Sequence, residues 1–156
     1  MPVLGATDKP TIPVSWGELI DKITILEIKE TKLHSTQAVA NVRQELKALT
    51  SAAAGAIDDP DLAALRSQLR SINETLWNVE DQLRAKEATR CFDRAFIELA
   101  RSVYVNNDRR ADLKRRINVL MKSAILEEKQ YTAYGATQEM GKDRLERPDA
   151  PADGRD

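Results

Sequence analysis

Glu27 and Glu30 stand three residues apart, and His34 follows one helical turn later. On a helix this spacing sets two carboxylates and an imidazole along one face, because positions three and four apart are neighbours there. Two carboxylates aimed at one point suit a hard divalent cation such as Mg²⁺ or Mn²⁺. Glu128, on a facing helix, could add a further oxygen. The candidate metal set is therefore Glu27, Glu30, His34 and Glu128, although Glu-x-x-Glu by itself is common on helices. The competing expectation is that no cofactor is held and that the glutamates meet cations of a later helix, Arg110 or Lys114. A charge turned inward without a partner costs several kcal/mol, so a partner is close to obligatory. Glu27, Glu30, Glu128, Arg110 and Lys114 form the candidate polar core or ligand pocket.

A second constellation is ARSVYVNNDRRADLKRR, residues 100–116. Six cations (Arg101, Arg109, Arg110, Lys114, Arg115 and Arg116) stand there against two anions, Asp108 and Asp112. If a helix begins after the polar run VNND, four of them lie in its first two turns, where free amides also favour an anion. Arg101, Tyr104, Arg109, Arg110 and Arg115 are the candidate anion site, with Tyr104 offering a stacking face to a phosphate-bearing or nucleotide-sugar ligand. The plainer alternative is that these arginines face solvent or pair with carboxylates of neighbouring helices. Cys91 reads as a small core residue rather than a nucleophile, since the lone histidine is far away in the chain.

Those side chains need a frame, and composition bounds it. At 156 residues the chain is long enough for one domain with a real core. Lys plus Arg is 24 and Asp plus Glu is 25, so the basic excess of a nucleic-acid binder is missing. One cysteine excludes an internal disulfide and a thiolate zinc site. No apolar run is long enough to span a membrane, and the N-terminus lacks the pattern of a secretory signal. A cytoplasmic protein is expected.

Every central segment shows the 3.6-residue period, and none alternates as a strand does. The expected fold is all-α: an antiparallel helical bundle of about five helices with one long central helix. Residues 1–14 carry three prolines and read as an extended arm, 15–134 as the bundle, and 135–156 as a disordered polar tail. Ser15 and Glu18 have capping-box spacing at the start of helix 1. Helix 2 is expected over Thr36–Leu49 and a connector over 50–60. Asp59-Pro60 opens the long helix, in which Leu62, Leu65, Leu69, Ile72, Leu76, Val79 and Leu83 repeat at 3-4 spacing over roughly 28 residues, about 42 Å. Ile72 and Leu76, at the centre of that seam, are expected to carry the core. A fourth helix holds Phe92, Phe96, Leu99 and Val103. A fifth holds Leu113, Ile117, Leu120 and Ala124, ending near Tyr134 with Gly135 as its C-cap. Ile25 and Ile28 lie opposite the Ile23–Leu26 face of helix 1, so a further helix or a second subunit has to cover them.

SWGELIDKITILEIK (15–29), N-V-R-x-E-L (41–46), L-W-N-V-E-D (76–81), F-I-E-L-A-R-S-V-Y…N-D-R-R-A-x-L-K-R-x-I-N (96–118) and E-E-K-x-Y (127–131) together resemble a bacterial family of short proteins of unknown function. The resemblance covers roughly residues 12–134. It implies no activity and transfers no catalytic residue. It also implies a setting near glycosyltransferases of envelope polysaccharide pathways, which favours an anionic ligand slightly.

Two functions follow from these readings. One is a non-catalytic interaction or accessory module that binds itself or a partner protein through the surplus apolar faces of helices 1 and 4. The other is a small-molecule binding protein, for a phosphate, nucleotide or nucleotide-sugar, or a metal-dependent enzyme, with a carboxylate/arginine pocket in the bundle. Inward charges that pair with one another favour the first; inward charges around a cavity favour the second.

Overall fold

Among the described residues four helices carry the fold, and each starts on a side chain able to accept from the free amides of its first turn. In the computed structural model, which describes residues 9–134, Ser15 Oγ accepts from Glu18 N at 3.1 Å at the head of α1, Trp16–Lys32. Ser35 does the same for Ala38 N in α2, Thr36–Ala52. Asp59, followed by Pro60, accepts from the amides of Asp61 and Leu62 in α3, Pro60–Ala88. Asp93 accepts from Phe96 N in α4, Arg94–Leu120. No helix among the described residues is long and apolar enough to cross a membrane.

Among the described residues the expected count of about five helices is corrected to four. Asn106, Asn107 and Asp108 do not break the chain; α4 runs through them. Asn106 is buried, and its side-chain amide donates to Ser102 O at 2.9 Å, inside the helix's own preceding turn. Asn and Asp weaken isolated helices because they offer the backbone local alternatives, but packing routinely overrides that preference. The helix also stops early. Lys122 takes a left-handed conformation (φ 50°) and Ser123 N reaches back to Asn118 O at 2.8 Å, which closes a Schellman turn without glycine. Residues 124–134 then run non-helically back along α4, so Ala124 belongs to no helix. Gly135, expected as the cap, and the expected tail at 135–156 lie outside the described residues, as do residues 1–8 of the arm.

α3 and α4 form a long antiparallel hairpin of 29 and 27 residues, joined by a corner in which Arg90 also takes positive φ. The buried centre is not long α3 but short α1, which packs against all three other helices. Ile20, Ile23, Leu26 and Ile28 are all essentially buried. The main core joins Ile20 and Ile23 to Ala53, Leu62, Leu65, Leu69, Leu113 and Ile117. The heptad seam of α3 is therefore used unevenly: Leu62, Leu65, Leu69 and Val79 are buried, whereas Ile72 and Leu76 are only half-buried and Asn73 takes an inward place between them. Ile28 is covered within the chain, since Ile25 and Ile28 turn toward α3 and α4.

One glycine is set by close approach. A Cβ on Gly17 would stand 2.5 Å from Lys114 O, a backbone atom that cannot yield cheaply. Without that atom, Gly17 N donates to Asn118 Oδ1 at 2.6 Å and α1 lies directly on α4.

Candidate functional site

The polar groups of the bundle converge where α1 crosses α4. Along α1, Ser15, Glu18, Asp21 and Thr24 recur every three residues and supply the polar groups of this crossing. Along α4, Arg110, Lys114 and Asn118 recur every four residues and face α1.

Asp21 is the deepest charge, with a side chain 2% exposed. Arg110 grips it with two parallel bonds, Nε to Oδ1 at 3.0 Å and Nη2 to Oδ2 at 2.5 Å. Asn73 of α3 donates to the same Oδ1 at 2.8 Å and to Thr24 Oγ1 at 3.0 Å. The hydrogen bond to Asp21 raises the Arg110 pKa above its ordinary value against the opposing pull of burial. One turn toward the end of α4, Lys114 Nζ donates to Glu18 at 2.6 Å and to Glu127 at 2.9 Å. Burial lowers the Lys114 pKa, but the hydrogen bonds to the two carboxylates outweigh it and leave the ammonium above its ordinary value. Ser15 Oγ also donates to Glu127 at 3.2 Å.

Glu127 thus pins residues 124–134 to the head of α1. Burial acts to raise its pKa, but the hydrogen bonds from Lys114 and Ser15 and the Lys114 charge prevail and hold it below the ordinary value. A carboxylate whose folded pKa is depressed contributes stability that is complete above the unfolded value and lost as pH falls through the folded one. The Ser15 and Trp16 amide resonances are therefore expected to shift together on acidification below the ordinary carboxylate range, and to lose that transition in Glu127→Gln. Amide shifts that ignore both the pH and the substitution would show that Glu127 does not latch the segment.

The candidate residues from the sequence divide. Arg110 and Lys114 do turn inward, but to Asp21 and Glu18, not to Glu27 and Glu30. Glu27 meets Arg66 and, at 3.7 Å, Arg70, both on α3. Glu30 meets Arg43 of α2 at 2.7 Å. His34 is exposed just past the end of α1, and the Glu128 side chain is 85% exposed beside Arg115 at 4.0 Å. Glu27, Glu30, His34 and Glu128 do not converge, and among the described residues no group of three or more His, Cys, Asp and Glu is placed to hold a metal ion. The anion-site residues scatter too. Because α4 is continuous, residues 109–116 have no free helix amides beside them. Arg101 bonds the Tyr104 hydroxyl at 3.4 Å, and Tyr104 stacks edge-on with Tyr134. Arg109 lines a different groove with Asp108, Asp112 and Tyr134. Only Arg110 and Arg115 share a cleft with Lys114, and Glu127, Glu128 and Lys129 close it. Cys91 is exposed rather than in the core, with Lys86 Nζ 3.9 Å from its sulfur.

Sequence reasoning missed Asp21, Asn73, Asn118 and Glu127. A signal existed for the first: Glu18 and Asp21 stand three residues apart on α1, neighbours on its surface. Nothing in the sequence near Asn73 or Glu127 announces their partners.

Two clefts open beside this network. One, of about 330 Å³, lies over Lys114 and Arg115. The other, of about 490 Å³, has an apolar floor of Ile25, Ile28, Leu76, Trp77 and Val103, with Glu80, Asp81 and Arg84 on its rim. Asn107 and Arg110 stand between the two.

No curated protein and no solved structure matches the chain. A model described as a family of unknown function (DUF6165) matches residues 11–142, from ahead of the α1 cap to beyond the Tyr104–Tyr134 stack. The segment that builds the bundle and its polar network is thus the segment the match spans, and the chain belongs to this family of unknown function.

Proposed function

We propose that this protein is a non-catalytic helical interaction module, acting by self-association or by holding a partner protein. The observation that carries the reading is the mutual pairing of the inward charges. Asp21 is met by Arg110, Lys114 by Glu18 and Glu127, and Glu27 by Arg66 and Arg70, while Glu30 meets Arg43 in an exposed pair at the surface. Among the described residues no buried side-chain nitrogen or oxygen lacks a hydrogen-bond partner. Catalytic and ligand-binding sites keep polar groups in hand for the substrate, whereas a network satisfied within itself positions helices.

The smaller cleft favours a second reading, an anionic ligand held by Arg115 and Lys129 beside Lys114. One experiment separates the two. Thermal unfolding of the full chain is expected to give the same midpoint with and without millimolar Mg²⁺, Mn²⁺ or inorganic phosphate. A phosphate-dependent rise that disappears in Arg115→Ala/Lys129→Ala would overturn the module reading in favour of the anion site. A metal-dependent rise lost in Glu27→Gln would overturn it in favour of a metal-dependent enzyme.

A further inference from the structure

The far end of the α3–α4 hairpin holds large apolar side chains away from the core. From Glu80 to Val105 no residue is buried, although Leu83, Phe92, Phe96, Ile97, Leu99 and Val103 all fall in this stretch. Phe92 and Ile97 are 56% and 54% exposed. Helices draw most of their stability from packing an apolar face, so two helices with only each other to pack against leave that face wanting. α1 supplies the cover lower down and stops short of this end.

The uncovered face has two apolar places and a charged one between them. The first is the cleft floored by Ile25, Ile28, Leu76, Trp77 and Val103. The second is the hairpin corner, where Phe92 packs edge-on against Phe96 with ring centres 5.2 Å apart. Phe96 stands seven residues before Val103 and therefore on the cleft side of α4. Along α3, Trp77 in the cleft wall and Ala88 at the helix end are about 16 Å apart. Midway, on either side of Gln82, are Glu80 and Arg84, with side chains 52% and 81% exposed and 3.8 Å from one another.

This pattern is complementary to itself. A two-fold axis beside Gln82 exchanges the two ends, carries the Phe92 corner of one copy to the cleft of the other, and sets Glu80 of each against Arg84 of its mate. Isologous contacts need a patch that matches its own rotated image. The charges do not oppose it: between Trp77 and Val103 five cations (Arg84, Lys86, Arg90, Arg94, Arg101) balance five anions (Glu80, Asp81, Glu87, Asp93, Glu98). Side-by-side hairpins of this kind build a four-helix bundle.

We propose that two copies of this chain pair antiparallel through the distal halves of their α3–α4 hairpins, with the Phe92 corner of each seated in the Ile25/Ile28/Trp77 cleft of the other. The pairing rests on the interaction-module reading and names its partner. Sedimentation equilibrium of the full chain is expected to give twice the 17.5 kDa chain mass at micromolar concentration, and Phe92→Glu, at a position already exposed, to give the chain mass alone. The register has its own test. Glu80→Arg and Arg84→Glu each place like charges across the axis, and each alone is expected to weaken the dimer about tenfold or more. Mixed in equal amounts, the two variants regain opposite charges at both contacts and are expected to form a mixed dimer. A wild type that stays at the single-chain mass, or a dimer indifferent to Phe92→Glu and to the charge variants, would overturn the pairing. Neither result bears on the metal and phosphate titrations, so the module reading stands or falls separately.

Discussion

Arg110→Met is expected to lower the unfolding free energy by about 3–5 kcal/mol, the cost of breaking a buried ion pair from one side. The two partners are unequal. Arg110 is 30% exposed and can find water, whereas the Asp21 carboxylate, 2% exposed, is left with Asn73 alone. The arginine is therefore the costlier residue to remove. Asp21→Asn keeps the shape of the side chain and an oxygen able to accept from Asn73 and Arg110, so its penalty is smaller. The double variant Asp21→Asn/Arg110→Met removes the stranded charge and is expected to recover much of the loss, since apolar or neutral replacements of whole buried pairs are often tolerated. Urea unfolding of the three variants measures this order. Arg110→Met within about 1 kcal/mol of wild type, the range of an exposed pair, would show that Asp21 is not the buried anchor of α1 on α4.

Leu69→Ala is expected to cost about 2–5 kcal/mol, as truncations at fully packed positions do. Leu69 is completely buried in the cluster with Ile20, Ile23, Leu65, Leu113 and Ile117. Leu76→Ala is expected to cost clearly less, because Leu76 is half-buried and lines the open cleft, where neighbours already have space on one side. The heptad pattern alone ranks them the other way, with Leu76 at the middle of the seam. Equal losses for the two in chemical unfolding would mean that the cleft is closed in solution, as the paired hairpins would close it. Measuring both variants again on the Phe92→Glu background separates that cause from a misplaced core.

What the sequence determines by itself is local. The caps at Ser15 and Asp59, Pro60 at the first helical position, and the run of leucines over α3 need only neighbours a turn away, and each appears where its spacing places it. The all-helical class follows for the same reason, since the 3.6-residue period is repeated without a competing alternation. Where α4 begins and ends was not legible. The run VNND reads as a break until Asn106 is buried and bonded to Ser102 in its own preceding turn, and the stop at Lys122 depends on Asn118 and Ser123, which are also engaged by the backbone of Gly17 and Trp16. The site was legible only in part, and for a physical reason. Spacing places Arg110 and Lys114 on the face of their helix that turns inward, whereas Glu30 stands in an exposed pair, and an ion pair is set by the crossing of two helices, so a shift of one turn changes every partner. Gly17 lets α1 approach α4 so closely that Asp21 meets Arg110 and Glu18 meets Lys114, while Glu27 is carried past α4 to Arg66 and Glu30 to Arg43. Charge and period left open whether these groups pair or line a cavity; the crossings of α1 with its three neighbours decided that they pair, and with which.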